Sequence, residues 1–195
     1  MVVAKKRRYD NSARIAAAEQ TRENILRATL ELFREIHYDD ITFPRVAERA
    51  GVSPQTVTLH FRNKDGLVAA AREWWGPQEQ SLRACSPDPL EAARVIVARY
   101  EELGAATIRA LAVADRVPAL HDLTTVGRAS HRTWVEATFG KQLGSGAVRE
   151  RRIMALVAAY DVYTWHVLRR ALDPEATALA MADLARGVLD RGGKR

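Results

Sequence analysis

Apolar residues recur at three-and-four spacing along nearly the whole chain, and nowhere do they settle into the strict alternation of a half-buried strand. Ile25, Thr29, Leu32, Phe33 and Ile36 predict a first helix that ends near His37. Val46, Ala50, Val52 and Val57 then mark the apolar side of two short helices bent about Gly51, a residue that enters the left-handed region without a Cβ penalty. Ser53 and Pro54 start the second of these as cap and first-turn proline, and Ala47 is small enough for a close helix crossing. Phe61 plugs the unit, Asn63 caps a fourth helix, and Leu67, Ala71, Trp74 and Trp75 stripe it until Gly76-Pro77, where the pattern predicts its end.

Beyond a loop at Cys85 to Pro89, Asp88, Pro89 and Glu91 stand in the order of cap, first-turn proline and capping-box partner. Ile96, Tyr100 and Leu103 predict the inward face of that helix. A shorter helix follows around Ala106 to Asp115, and another from Pro118 towards Phe139 has Leu120, Leu123, Gly127, His131 and Trp134 on one side. After a glycine-rich loop from Gly140 to Gly146, residues from Ile153 to Ala171 predict one long helix. Asp173-Pro174 opens a last helix carrying Met181, Leu184, Ala185 and Val188, which closes a helical hairpin. The pattern is all-α: a three-helix helix-turn-helix domain over residues 15–66, preceded by a basic flexible arm (1–14) and followed by a helical domain (67–195).

The segment Ala47 to Ser53, followed by Thr56-Val57, His60-Phe61, Lys64-Asp65 and Leu67, resembles the amino-terminal DNA-binding domain of the TetR family of bacterial transcriptional regulators. Thr21-Arg22, Ile25-Leu26, Leu32-Phe33 and Tyr38 follow the same family's first-helix pattern, although the family commonly has Tyr where this chain has Thr58. The resemblance implies a DNA-binding regulator whose second domain binds a small-molecule effector. Leu172 to Glu175, leading into Leu184 and Val188, resembles the family's closing helix pair and implies a homodimer through the last two helices. It further implies that an effector would tilt the fourth helix and separate the two recognition helices.

Charge sharpens the DNA reading. Residues 1–14 hold Lys5, Lys6, Arg7, Arg8 and Arg14 against Asp10 alone, whereas residues 15–75 are nearly balanced. A basic arm in front of a helix-turn-helix can follow phosphates or enter a minor groove; a solvated tail is the plainer reading. On the recognition helix, Gln55 and Thr56 are the candidates for base edges, with Ser53 at its start. Thr42, Arg45, Thr58, His60 and Lys64 are the candidates for phosphates of double-stranded operator DNA, while Thr42 can also act only as a cap and His60 only brace Phe61.

Other chemistry is sparse. The sequence has no His-Glu-x-x-His motif, no phosphate-cradling glycine loop and no Gly-x-Ser-x-Gly elbow, so no enzyme, metal or cofactor is expected. One cysteine, Cys85, excludes an intrachain disulfide and reads as an inert packing residue. No run approaches the ~20 apolar residues of a membrane helix and no secretory leader opens the chain, so a cytoplasmic location without membrane contact is expected. Tyr100, His131, Trp134 and Tyr160 are candidates for a pocket that takes a hydrophobic or aromatic effector, or else ordinary core aromatics. The reading is a repressor released from a palindromic operator. An adaptor using the helix-turn-helix for protein contact, or an enzyme with an appended DNA-binding domain, are the competing classes.

Overall fold

The computed structural model describes residues 11–190, and among them every regular element is a helix. The first, α1, spans Asn11–Glu35 and so begins inside the stretch read as a basic arm; Lys5, Lys6, Arg7 and Arg8 lie outside the described residues. A 3-10 turn at Tyr38–Asp40 leads to α2 (Phe43–Ala50) and α3 (Pro54–Phe61). Gly51 leaves α2 at φ 68°, and the Val52 amide donates back to the Ala47 carbonyl at 2.9 Å, so the sharp turn closes on its own backbone. The Ser53 hydroxyl accepts the Thr56 amide at 3.1 Å and starts α3. Ile25, Leu26, Val46, Ala47, Val57, Phe61 and Leu67 form the buried core of this domain.

Helix α4 runs from Lys64 to Ser81, with Asn63 accepting the Gly66 amide at 2.8 Å. It passes through Gly76-Pro77, where the hydrophobic pattern predicts an end. Proline removes one helical donor, but Gly76 has no Cβ to meet the ring, and the Gln78 side chain donates to the Trp74 carbonyl at 3.0 Å. The helix therefore reaches the second domain with its last turn intact.

In the second domain α5 (Pro89–Leu111) is one continuous helix, so the separate element expected around Ala106 to Asp115 is instead its last turns and a following turn. Asp88 accepts the Leu90 and Glu91 amides, each at 2.9 Å. Glu91 does not close a capping box, because its carboxylate is taken by Arg94 and the Asp88 amide donates to Ser86 Oγ. Helix α6 spans Pro118–Phe139 and α7 spans Gly146–Ala159. The predicted long helix is broken at Tyr160: Asp161 caps a new helix, α8 (Val162–Leu168), by accepting the Tyr163 amide at 2.8 Å. Helix α9 (Pro174–Leu189) follows, capped by Asp173. Cys85 is exposed in the loop before α5 rather than packed.

The core of this domain centres on α5. Ala92, Ala93, Ala178, Ala182 and Ala185 are buried where α5 meets α9, and side chains this small let the two helices approach closely. Tyr160, fully buried, donates its hydroxyl to Pro89 O at 3.0 Å and receives on its own carbonyl the Tyr100 hydroxyl at 3.0 Å, tying the α7–α8 break to α5. A third cluster, Tyr38, Ala110, Ala114 and Leu120, seals the seam between the domains. At that seam Arg109 of α5 donates to the Phe33 and Arg34 carbonyls at 3.1 and 2.8 Å, pairing groups that the end of α1 leaves without helical donors. No helix of the described residues is long and apolar enough to cross a membrane.

Gly104 is the tightest point of this packing. A Cβ there would stand closer than 3.0 Å to three carbons of the Trp165 ring, and that ring is held by its Nε1 bond to Glu101, which Arg169 fixes in turn. Gly104→Ala is expected to destabilise the fold by roughly 1–3 kcal/mol despite the better helix propensity of alanine. Urea unfolding followed by circular dichroism measures this; an unchanged midpoint would show that the α5–α8 contact yields freely.

Candidate functional site

The outer face of α3 is built by the helix period. Val57 and Phe61 turn inward, which leaves Gln55, Thr58 and Leu59 exposed on the opposite side. Gln55 makes no side-chain bond that would hold it to the domain. Thr56 is half-buried, its hydroxyl 2.9 Å from Ser53 Oγ, and Thr58 bonds back to Pro54 O at 3.1 Å. Leu59 is 83% exposed, an apolar side chain with no packing role in the chain. The sequence reading missed it, although its place two residues after buried Val57 signals an outward direction.

The remaining positions diverge. Thr42 precedes α2 without a side-chain capping bond and is exposed, as is Arg45, which donates to Asp40 O at 3.3 Å. His60 is half-buried with its ring centroid 6.0 Å from that of Phe61. The Lys64 ammonium is engaged within the domain: it donates to Tyr38 O and lies 3.8 Å from the Tyr38 ring centroid. Burial lowers the Lys64 pKa, whereas burial and then the nearby Asp65 raise that of Tyr38 to about 12. Lys64 therefore fixes the 3-10 turn against α4. A free cation is found one residue past α3, at exposed Arg62, whose φ of 56° is the one left-handed non-glycine conformation among the described residues.

A cavity of about 290 Å³ lies between the two domains. Leu30 and Phe33 of α1, Trp75 of α4, Leu103 of α5 and Leu123 of α6 supply apolar wall, and the far end is polar. Tyr100 and His131 line it. Trp134 and Tyr160 do not: Trp134 stacks on His131 at 5.8 Å and meets Tyr160 edge-on at 5.5 Å, while Tyr160 stacks on Phe139. These two are core aromatics one layer behind the wall. The contributions from α1 and from Glu79 and Arg83 were hidden from sequence reading, because the pattern stopped α4 at Pro77.

At the polar end Glu79 accepts from Arg83 at 3.1 Å and Arg99 at 2.7 Å. His131 is buried with Nε2 placed 3.2 Å from Val157 O; a carbonyl only accepts, so Nε2 carries the proton and Nδ1 offers a lone pair. Burial, and after it the charge of Arg83, hold this imidazole below its ordinary pKa, against weaker opposing effects of Val157 O and Asp161. Burial likewise raises the Tyr100 pKa.

Comparison with known proteins agrees with this architecture. Residues 25–71 match the sequence model of the bacterial regulatory proteins of the tetR family. The HTH-type transcriptional regulator BetI of Escherichia coli is 41% identical over 49 residues, a match spanning 25% of this chain and 25% of BetI. A transcriptional regulator from Rhodococcus sp. Rha1 superposes with a TM-score of 0.69 at 20% identity, over 89% of this chain and 98% of that one. A SmeT–triclosan complex superposes with a TM-score of 0.60 at 21% identity, over 86% and 90%. Residues 25–71 thus carry the sequence pattern of the tetR family, and most of the chain shares the fold of these solved structures.

The neutral burial of His131 makes stability depend on pH. Its folded pKa lies below the unfolded value near 6.5, so as pH falls from there the unfolded chain takes up a proton that the folded chain refuses. Stability is expected to drop through that window by at most about 1.4 kcal/mol per pH unit, and His131→Gln to remove that component. Urea titrations on both sides of pH 6.5 measure it; identical slopes in wild type and variant would exclude His131 as the source.

Proposed function

We propose that this protein is a homodimeric, DNA-binding transcriptional repressor that leaves its operator when a small hydrophobic or aromatic molecule fills the cavity. The observation that carries the reading is the shared wall of the cavity. Leu30, Phe33 and Trp75 come from the two helices that brace α3, and Leu103 and Leu123 come from the second domain. A ligand there presses on both sides of the seam at once. Release requires that ligand and DNA prefer different arrangements of α1 and α4, since equal preference would couple nothing.

In this reading each α3 enters the major groove at one half of a near-palindromic operator, with half-sites about 34–36 Å apart or a multiple of that spacing. Gln55 reads a base edge, with Thr56 at the helix start and Leu59 placed for a thymine methyl. Thr42, Arg45, Thr58 and His60 lie towards the phosphates, with Ser53 holding the helix start and Arg62 as an added cation. The second copy is expected on α8 and α9, where Tyr163, Val167 (63%) and Leu184 (51%) expose large apolar groups on adjoining helices. The residue match to BetI covers a quarter of that regulator, so the activity of the whole chain rests on this geometry.

Gln55→Ala is expected to weaken operator binding by roughly 1–3 kcal/mol and to relax base preference, as footprinting on operator variants would reveal. Unaltered specificity would remove Gln55 from the base contacts. Leu184→Arg, at a site exposed within the protomer, is expected to leave the helical content intact while giving a monomer that binds DNA poorly. Sedimentation reads the outcome directly, and a variant that stays dimeric places the interface elsewhere.

A further inference from the structure

The cavity is lined by more cationic than anionic side chains. Among its lining residues Arg72, Arg83, Arg99 and Arg128 face only two carboxylates, Glu79 and Asp161. Arg99 has two carboxylate partners, Glu79 and, at 3.0 Å, Glu102. Arg83 shares Glu79 through Nε at 3.1 Å, and its Nη1 is buried without an acceptor. Asp161 is committed as the cap of α8. Two further lining atoms are buried and unmatched: Trp75 Nε1, a donor, and His131 Nδ1, an acceptor. Trp75, Glu79 and Arg83 stand four residues apart, so their side chains follow one face along α4 and its end.

Resting on the reading of this cavity as the effector site, we propose that it is built for an amphiphilic anion. The ligand is an aromatic or aliphatic carboxylate whose charged end is received by Arg83 Nη1 beside His131, with its apolar body lying past Trp75 towards Phe33. A buried guanidinium donor lacking an acceptor is a strong discriminator, because a carboxylate completes it through a charge-assisted bond whereas an uncharged isostere makes a weaker one. A hydroxyl or N–H next to the carboxylate would in addition meet His131 Nδ1. The apolar walls alone would accept neutral aromatics, so the charge preference is what separates this assignment from the broader effector reading.

The test is calorimetric titration of the full chain with 2-naphthoate and with its uncharged counterpart 2-naphthamide, alongside operator binding in the presence of each. Naphthoate is expected to bind about tenfold or more tightly than naphthamide. Arg83→Gln should abolish that preference while leaving naphthamide affinity nearly unchanged, and Leu103→Trp, which fills the cavity, should abolish both. Should Arg83→Gln lose its circular dichroism signal, the comparison of the two probes on the wild-type chain still decides the matter. Equal affinity for the two probes, or no binding of either, overturns the anionic assignment. Naphthoate binding with the expected preference but no change in operator affinity supports the anion site and overturns the effector reading instead.

Discussion

Glu79 holds two guanidinium groups at once, and the placement of α4 against the second domain depends on that sharing. Arg99 lies almost entirely out of water, its side chain only 7% exposed, and its charge is tolerable there because Glu79 and Glu102 both reach it. Removing one partner of such a pair leaves an uncompensated charge and costs about 3–5 kcal/mol in comparable settings. Arg109 performs the matching task for α1, donating to the last carbonyls of that helix. Both helices that brace α3 are thus moored on α5, one by ion pairing and one by carbonyl capping.

This arrangement makes the cavity a property of the seam rather than of either domain. Its apolar wall is contributed by helices of both domains, and its polar end includes the residues that moor α4. A molecule that engages Arg83 therefore competes with, or completes, the group of charges that fixes the helix. In the proposed mechanism position and occupancy would be linked through one small set of atoms, so coupling of the usual size, about 1–3 kcal/mol, would need no longer path.

Much of the fold was legible because its signals are local. Gly51, Ser53, Pro54, Asn63, Asp88 and Asp173 act on their own helix ends, and each marks a boundary the structure contains. The readings that failed are those where a distant contact overrides a local one. Pro77 does not stop α4, since Gly76 tolerates it and the anchored Glu79 and Arg83 lie beyond. Asp161 breaks a helix that the apolar period carried through, with Tyr160 buried at the junction. For the site, Tyr100 and His131 were reached from their inward direction, yet direction alone cannot separate a wall from the layer behind it, where Trp134 and Tyr160 sit. Lys64 occupies a helix start suited to an anion, but only the tertiary approach of Tyr38 reveals that its ammonium is already engaged.

Arg62 carries a thermodynamic consequence of its own. A side chain with a Cβ held at φ 56° stores roughly 1–3 kcal/mol of conformational strain, a visible share of the 5–15 kcal/mol by which a domain is ordinarily stable. Glycine would adopt the same backbone without that strain but would lose roughly 0.5–1 kcal/mol more chain entropy on folding, so only part of the strain at this surface position beside α3 is recoverable as stability.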